Sequence, residues 1–353
     1  MDTRLACPLL ALFLFLSSVL TGCGGSGNAS SALTRAQDAF VTMNGVRRHY
    51  IDHGGKGQTL LLLSGIGDNA HIFDDLAPKL TGEYRVLALT RRGFGQSDQP
   101  PTGYDVDSLT DDIRMFLDSV GAIGKVHIAG HSLAGMEMTR FAARFPERVG
   151  KLIYLDAAYD YSLATGSTEP GQEPEPPQLP PGVSEDDIKA LMPPSPTAED
   201  FASLENARKF IRSQHSVWSN AMDRSFRDAV LLLPDGSVAP RTGEEITQGL
   251  IAASQQYKPE WNKVTAPALL IVPLPGRVQH MFPHLPETMS EGVRMLAEMS
   301  LQGDIAAKQM QAEMFRQQAA NARIAEIADS EHYVFVNHLE ETARQMRDFL
   351  KAT

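Results

Sequence analysis

Buried-strand patterns recur along this chain. Residues 59–63, 84–89, 126–130, 151–155 and 266–272 are apolar almost without interruption, and residues 323–327 form a shorter run near the end. Runs of this length bounded by Gly, Asp or Pro suit strands of a parallel sheet, whose two faces are both covered by crossover helices. Between them the period changes to that of a helix. Residues 68–80 carry Phe73, Leu76, Ala77 and Leu80, and residues 108–120 carry Leu109, Ile113, Phe116, Leu117 and Val120 on one face. Ser108 and Asp111 have the spacing of a capping box. The chain closes with a helix for which Asn337 is the expected cap, with Leu339, Ala343, Met346 and Leu350 inward. Near the start, residues 40–43 and 46–51 alternate around Asn44-Gly45. That pair predicts a hairpin, because both turn positions need positive φ.

Two stretches interrupt this alternation. Residues 169–182 are dominated by Pro, Glu and Gln, which suits an exposed, stiff connector. Beyond them, residues 200–213 and 219–233 read as helices, and Trp218, Tyr257 and Trp261 add aromatic surface. A second helical insertion covers about 286–320. The expected organisation is one core in two parts, 38–160 and 264–353, with residues 161–263 inserted between them.

The first residues follow neither rhythm. Residues 1–22 have a basic start at Arg4 and an apolar stretch from Leu9 to Leu20 too short to span a bilayer with margin, as a signal peptide does. Leu20-Thr21-Gly22-Cys23 resembles a bacterial lipobox, which implies acylation of Cys23 and an exported protein held on a membrane by its lipid. Gly24 after that Cys resembles lipoproteins sorted to the outer membrane, where the host has one. Residues 23–37 then serve as a flexible tether. Cys7 leaves with the signal peptide, so Cys23 has no disulfide partner. A net charge of −11 argues against nucleic acid as a partner. No His, Cys and carboxylate spacing suggests a metal, and no cofactor motif is present.

The chemistry centres on Val126-His127-Ile128-Ala129-Gly130-His131-Ser132-Leu133-Ala134-Gly135. A buried strand breaks at Gly130, and a helical pattern resumes at Leu133 and runs to Arg144 before Pro146. A serine at the apex of a strand-to-helix turn is a nucleophile elbow. With this motif the chain resembles the α/β-hydrolase superfamily. The resemblance implies an α/β fold with a mostly parallel eight-stranded sheet flanked by helices and a mainly helical cap. Further along, Ser64-Gly65-Ile66-Gly67 ends the strand at 59–63, with Ser64 where relatives usually carry His, and Arg91-Arg92-Gly93-Phe94-Gly95-Gln96-Ser97 is similar to a supporting loop of the superfamily.

The resemblance implies an oxyanion hole from the Ile66 and Leu133 amides, and it assigns the base to His332, which follows the last strand. His131 is the rival by proximity, but neighbours on an elbow point apart. His49, His53, His71, His127, His280, His284 and His338 read as structural. Relatives usually carry the triad acid after the seventh strand, where this chain has Pro273 to His280 and no carboxylate before Glu287. Asp156, at the end of the sixth strand, is the expected acid, and it keeps the order Ser, Asp, His. The expected activity is hydrolysis of a small carboxylic ester through an acyl-enzyme by Ser132, His332 and Asp156, without cofactor or metal. Lactones, amides or peptides and activated carbon–carbon bonds stay open as substrates, and so does a surface-tethered binding module without turnover. Epoxide hydrolases and dehalogenases need a carboxylate where Ser132 stands. Nothing in the pattern bears on oligomeric state.

Overall fold

The computed structural model describes residues 36–163 and 180–352. The signal segment 1–22, Cys23 and most of the connector at 169–182 lie outside the described residues. In chain order the elements are β1 (Gln37–Met43), β2 (Val46–Gly54), β3 (Thr59–Leu63), β4 (Arg85–Leu89), α1 (Val106–Ser119), β5 (Val126–His131), α2 (Ala134–Arg144) and β6 (Val149–Leu155). There follow α3 (Glu185–Leu191), α4 (Leu204–Ser213), α5 (Asn220–Ala229), β7 (Val230–Leu232), β8 (Val238–Pro240) and α6 (Glu244–Gln256). The chain then returns with β9 (Ala268–Leu274), α7 (Glu291–Gln318), β10 (Ala322–Ala328), α8 (Val334–Asn337) and α9 (Leu339–Lys351).

Eight strands form one sheet in the order β1-β2-β4-β3-β5-β6-β9-β10. β2 runs antiparallel to both β1 and β4, and the other neighbours are parallel. The Asn44-Gly45 turn has φ of 49° and 76°, as the hairpin requires. All five residues of β3 are buried because alternate side chains feed two separate cores. Leu61 and Leu63 join Phe116, Phe141 and Phe315 on one face. Leu60 and Leu62 join Phe73, Phe335 and Phe349 on the other.

Local chemistry shifts several expected elements. Residues 68–80 form two short 3-10 turns, Ala70–Phe73 and Ala77–Lys79, and no α-helix. Asn69 caps the first by accepting the His71 N–H, and Pro78 removes an N–H from the second. Helix α1 starts at Val106, ahead of Ser108. Its cap is Asp105, which accepts the Ser108 amide at 2.9 Å and the Ser108 hydroxyl at 2.7 Å, so Ser108 belongs to the first turn. Asn337 ends α8 and accepts the Ser330 hydroxyl at 3.1 Å, so α9 starts at Leu339 without a side-chain cap. The helix expected over 219–233 stops at Ala229, and β7 pairs with β8 as a small hairpin.

Elements α3 to α6 and this hairpin form a roof over the carboxyl ends of the strands, with Ala207, Phe226 and Val238 at the centre of one small apolar cluster. The 28-residue helix α7 belongs to both lobes. Val293 and Ala297 pack with Leu285 and Leu191, whereas Ala312 and Phe315 enter the core beneath Tyr154 and Trp261.

Candidate active site

Strand β5 delivers Ser132 in a left-handed backbone conformation, φ 54°, that an L-residue with a side chain adopts only when its surroundings enforce it. The enforcing contacts are visible. The Ser132 amide donates to the Leu155 carbonyl of β6 at 3.2 Å, and α2 begins immediately beyond. Gly135, the glycine displaced by one position from the usual motif, allows that helix to lie against the loop after β6. A Cβ there would fall 1.7 Å from the Ala157 carbonyl oxygen.

Asp156 also has positive φ, 46°, and its amide donates to the Ile271 carbonyl of β9 at 3.0 Å. This turns the carboxylate toward His332, whose Nδ1 lies 2.7 Å from Asp156 Oδ2. The same oxygen accepts from the Lys308 ammonium of α7 at 2.9 Å, and Oδ1 accepts from the Tyr159 phenol. Burial alone would raise the pKa of this carboxyl. The His332 bond and the Lys308 charge outweigh it and hold Asp156 at about 2, so it is ionised throughout the neutral range. Ser132, Asp156 and His332 line one cavity of about 460 Å³ together with Tyr159, Tyr161 and Lys308. The Tyr161 phenol, pushed up to about 12 mainly by burial, shares this cavity with Ser132.

His131 does not line this cavity. Its ring lies beneath that of His332 with centroids 4.4 Å apart, and its Nε2 is 3.1 Å from the His332 carbonyl. Burial and the neighbouring His332 push its pKa well below the usual value, so it is neutral and its Nε2–H donates to that carbonyl. Glu287 has no hydrogen bond to His332. Asp329 and Glu331 likewise turn elsewhere, with Glu331 accepting from the Ser216 hydroxyl.

The loop after β3 passes against the elbow so closely that a Cβ on Gly65 would lie 3.1 Å from that of Ser132. Its orientation is set by Arg91, from the Arg-Gly-x-Gly-x-Ser-like stretch. The guanidinium donates to the Ser64 carbonyl at 2.8 Å and the Gly65 carbonyl at 3.0 Å, and it pairs with buried Glu137 of α2. Because a trans peptide directs N–H opposite to C=O, holding the Gly65 carbonyl turns the Ile66 amide away from Arg91. Leu133 stands at the first turn of α2, where an amide has no partner within the helix. Lys308, Tyr159, Tyr161, Arg91 and Glu137 are the site residues that sequence patterning did not single out in these roles. Only Arg91 had a signal, its place in a recognisable loop.

A second, mostly apolar cavity of about 350 Å³ is lined by Ile66, Phe94, Ile211, Trp218, Phe226 and Tyr333. Asp68 borders it, accepting from the Tyr333 phenol at 3.1 Å. Burial raises Asp68 from 3.8 to about 6, against the opposing effect of that bond. Away from these cavities, Asp38, His49 and His71 gather with one ligand atom from each within 4.8 Å of the others, a grouping their spacing in sequence does not suggest.

Two measurements follow. Arg91→Met with Glu137→Gln, a pair that leaves no unpaired buried charge, is expected to remain folded while kcat for an ester falls at least about tenfold with little change in KM. An unchanged kcat would show that the loop keeps its orientation without Arg91. For Asp68, a folded value raised above the unfolded one means that stability is complete below about pH 4 and lost as pH rises through about 6, by up to about 3 kcal/mol. Asp68→Asn is therefore expected to raise Tm at pH 8 and to lose that advantage at pH 4, as read by thermal unfolding across pH.

Residues 58–339 match the α/β-hydrolase fold family. A 118-residue stretch is 39% identical to an uncharacterized protein of Mycobacterium bovis, covering 33% of this chain and only 34% of that protein. N-formylmaleamate deformylase of Pseudomonas putida is 27% identical over 201 residues, 53% of this chain and 68% of that enzyme. Among solved structures, E-2-(acetamidomethylene)succinate hydrolase superposes with a TM-score of 0.63 at 17% identity, covering 90% of this chain and 100% of that one. At such identity the likeness is one of fold. With the family match extending through core and roof alike, the chain belongs to the α/β hydrolases.

Proposed function

We propose that this chain is a serine hydrolase that cleaves a carboxylic ester through an acyl-enzyme. The observation that carries the reading is the 2.7 Å contact between His332 Nδ1 and Asp156 Oδ2 beside a serine in left-handed conformation. With Nδ1–H donated to Asp156, His332 Nε2 is the nitrogen that takes the Ser132 proton as Oγ attacks the carbonyl carbon. The tetrahedral oxyanion faces the Ile66 and Leu133 amides. On its collapse Nε2 returns the proton to the leaving oxygen, and the alcohol departs. Water then attacks the acyl-serine by the same route, freeing the acid and restoring Ser132.

The apolar cavity beside Ile66 suits an acyl chain, and the polar cavity around Ser132 suits the leaving group. Amide cleavage is the second reading, favoured by the name of the deformylase relative, whose similarity extends over half of this chain. Acylation of Cys23 would hold the exported enzyme on a bacterial membrane, the outer membrane where the host has one. Among the described residues no helix is long and apolar enough to cross a bilayer.

Ser132→Ala is expected to abolish both fluorophosphonate labelling and hydrolysis of short p-nitrophenyl esters. Asp156→Asn is expected to lower kcat by about 10⁴ while the protein stays folded. Wild-type-like turnover by the pure alanine variant would overturn the mechanism, and loss of less than tenfold in Asp156→Asn would remove the assigned acid. Comparing matched esters and N-acyl compounds at saturating concentration separates the two substrate readings.

For the anchor, Cys23→Ser is expected to move the protein from the membrane to the soluble fraction. Retention of the serine variant on membranes in high salt would refute a lipid at Cys23 as the anchor.

A further inference from the structure

The grouping of Asp38, His49 and His71 has the layout of a metal site. Asp38 and His49 belong to the edge hairpin. Asp38 faces Ile51 and His49 faces Phe40 across the β1–β2 ladder, so their side chains stand diagonally on one face. His71 comes from the 3-10 turn that follows the Ser64–Gly67 loop. One carboxylate oxygen, Asp38 Oδ1, lies 3.0 Å from His49 Nε2 and 3.2 Å from His71 Nε2. Two ligands of a tetrahedral zinc ion, each about 2.0–2.1 Å from the metal, stand roughly 3.3 Å apart. The observed separations need only a small opening to accept the ion.

The outer contacts of the two imidazoles strengthen the case. His71 Nδ1 is 2.9 Å from Asp74 Oδ2, and His49 Nδ1 is 2.9 Å from the Thr90 hydroxyl oxygen. Each ring therefore has an oxygen acceptor for an Nδ1–H, the arrangement that directs an Nε2 lone pair at a metal. Both rings are shielded, His49 completely, whereas Asp38 is half exposed and leaves room for a water as fourth ligand. Asp38 and Asp74 are both acidic, so the charge of a divalent cation meets partners of opposite sign. Asp74 is also paired with Arg224 of α5, which ties the roof to the same cluster.

We propose that Asp38, His49 and His71 bind a divalent transition-metal ion of the zinc class, with Asp74 and Thr90 orienting the two histidines. The site lies apart from the cavity around Ser132, and its role is structural. It fastens the edge hairpin to the segment that carries the Ser64–Gly67 loop.

The test is zinc binding by the full chain. After stripping with chelator and equilibrium dialysis against micromolar zinc sulfate, elemental analysis of wild type is expected to give one equivalent more than Asp38→Ala, and likewise more than His71→Gln. Zinc is expected to raise Tm of wild type by roughly 5 °C and to leave both variants unmoved. Asp38 is half exposed on an edge strand, so its replacement tests the ligand with little packing change; His71→Gln provides the second reading should the first variant fold poorly. Equal zinc in wild type and variants would overturn the proposal. So would the absence of any bound zinc in wild type, which would leave Asp38 as a plain acceptor for two imidazole N–H groups.

Discussion

A buried negative charge organises this site. The Asp156 carboxylate accepts from His332, Lys308 and Tyr159, which come from the loop after β10, from α7 and from the segment after β6. An ionised carboxylate out of water is costly unless each lone pair finds a donor, and the penalty for removing one partner from such a group reaches several kcal/mol. Core, helix α7 and final loop must therefore all be in place for the charge to be tolerated. Lys308 and His332 share the same oxygen. Part of the negative charge that would stabilise an imidazolium is thus already neutralised, and the geometry of the imidazole depends on a residue contributed by the second insertion.

A second buried pair works on the other wall. Arg91 is held by Glu137 and donates from its two terminal nitrogens to two consecutive carbonyls, which converts a glycine-bearing loop of many conformations into one with a defined amide direction. The Glu137 carboxyl is pushed upward by burial, with Arg91 opposing the shift. The arrangement illustrates why a loop next to the chemistry need not be mobile. Its shape is fixed by a side chain from the neighbouring βα loop, at the cost of burying an ion pair.

The legible parts of the fold were those governed by local pattern. Strand β3 was readable to the residue because five consecutive Leu or Thr positions have no other use than burial on both faces, and the hairpin was readable because Asn44-Gly45 suits few other turns. The sharp turn at Ser132 was readable as a break between a strand and a helix. Helix starts were less so. At α1 two competing caps, Asp105 and Ser108, lie three residues apart, and the one further upstream binds the other. Residues 68–80 kept a helical period but not a helix, since Asn69 and Pro78 favour short turns. Lys308 was invisible because its partner lies 152 residues away, and no rule of spacing connects a lysine inside an amphipathic helix with a distant strand end. The Asp38, His49 and His71 grouping was hidden for the same reason, being assembled by a sheet edge and a turn.

Helix α7 bears on how far this fold can be remodelled. Between β6 and β9, Tyr159 donates to Asp156, but α3 to α6 and their hairpin make no hydrogen bond to that carboxylate among the described residues and can vary without touching it. The segment after β9 has no such freedom. One turn of α7 carries a donor to Asp156, and its last turns fill the core beneath Tyr154. A graft that preserved the sheet but brought its own second insertion would inherit a serine and an imidazole with an acid whose charge balance had changed, so the natural boundary for recombination lies at the first insertion alone.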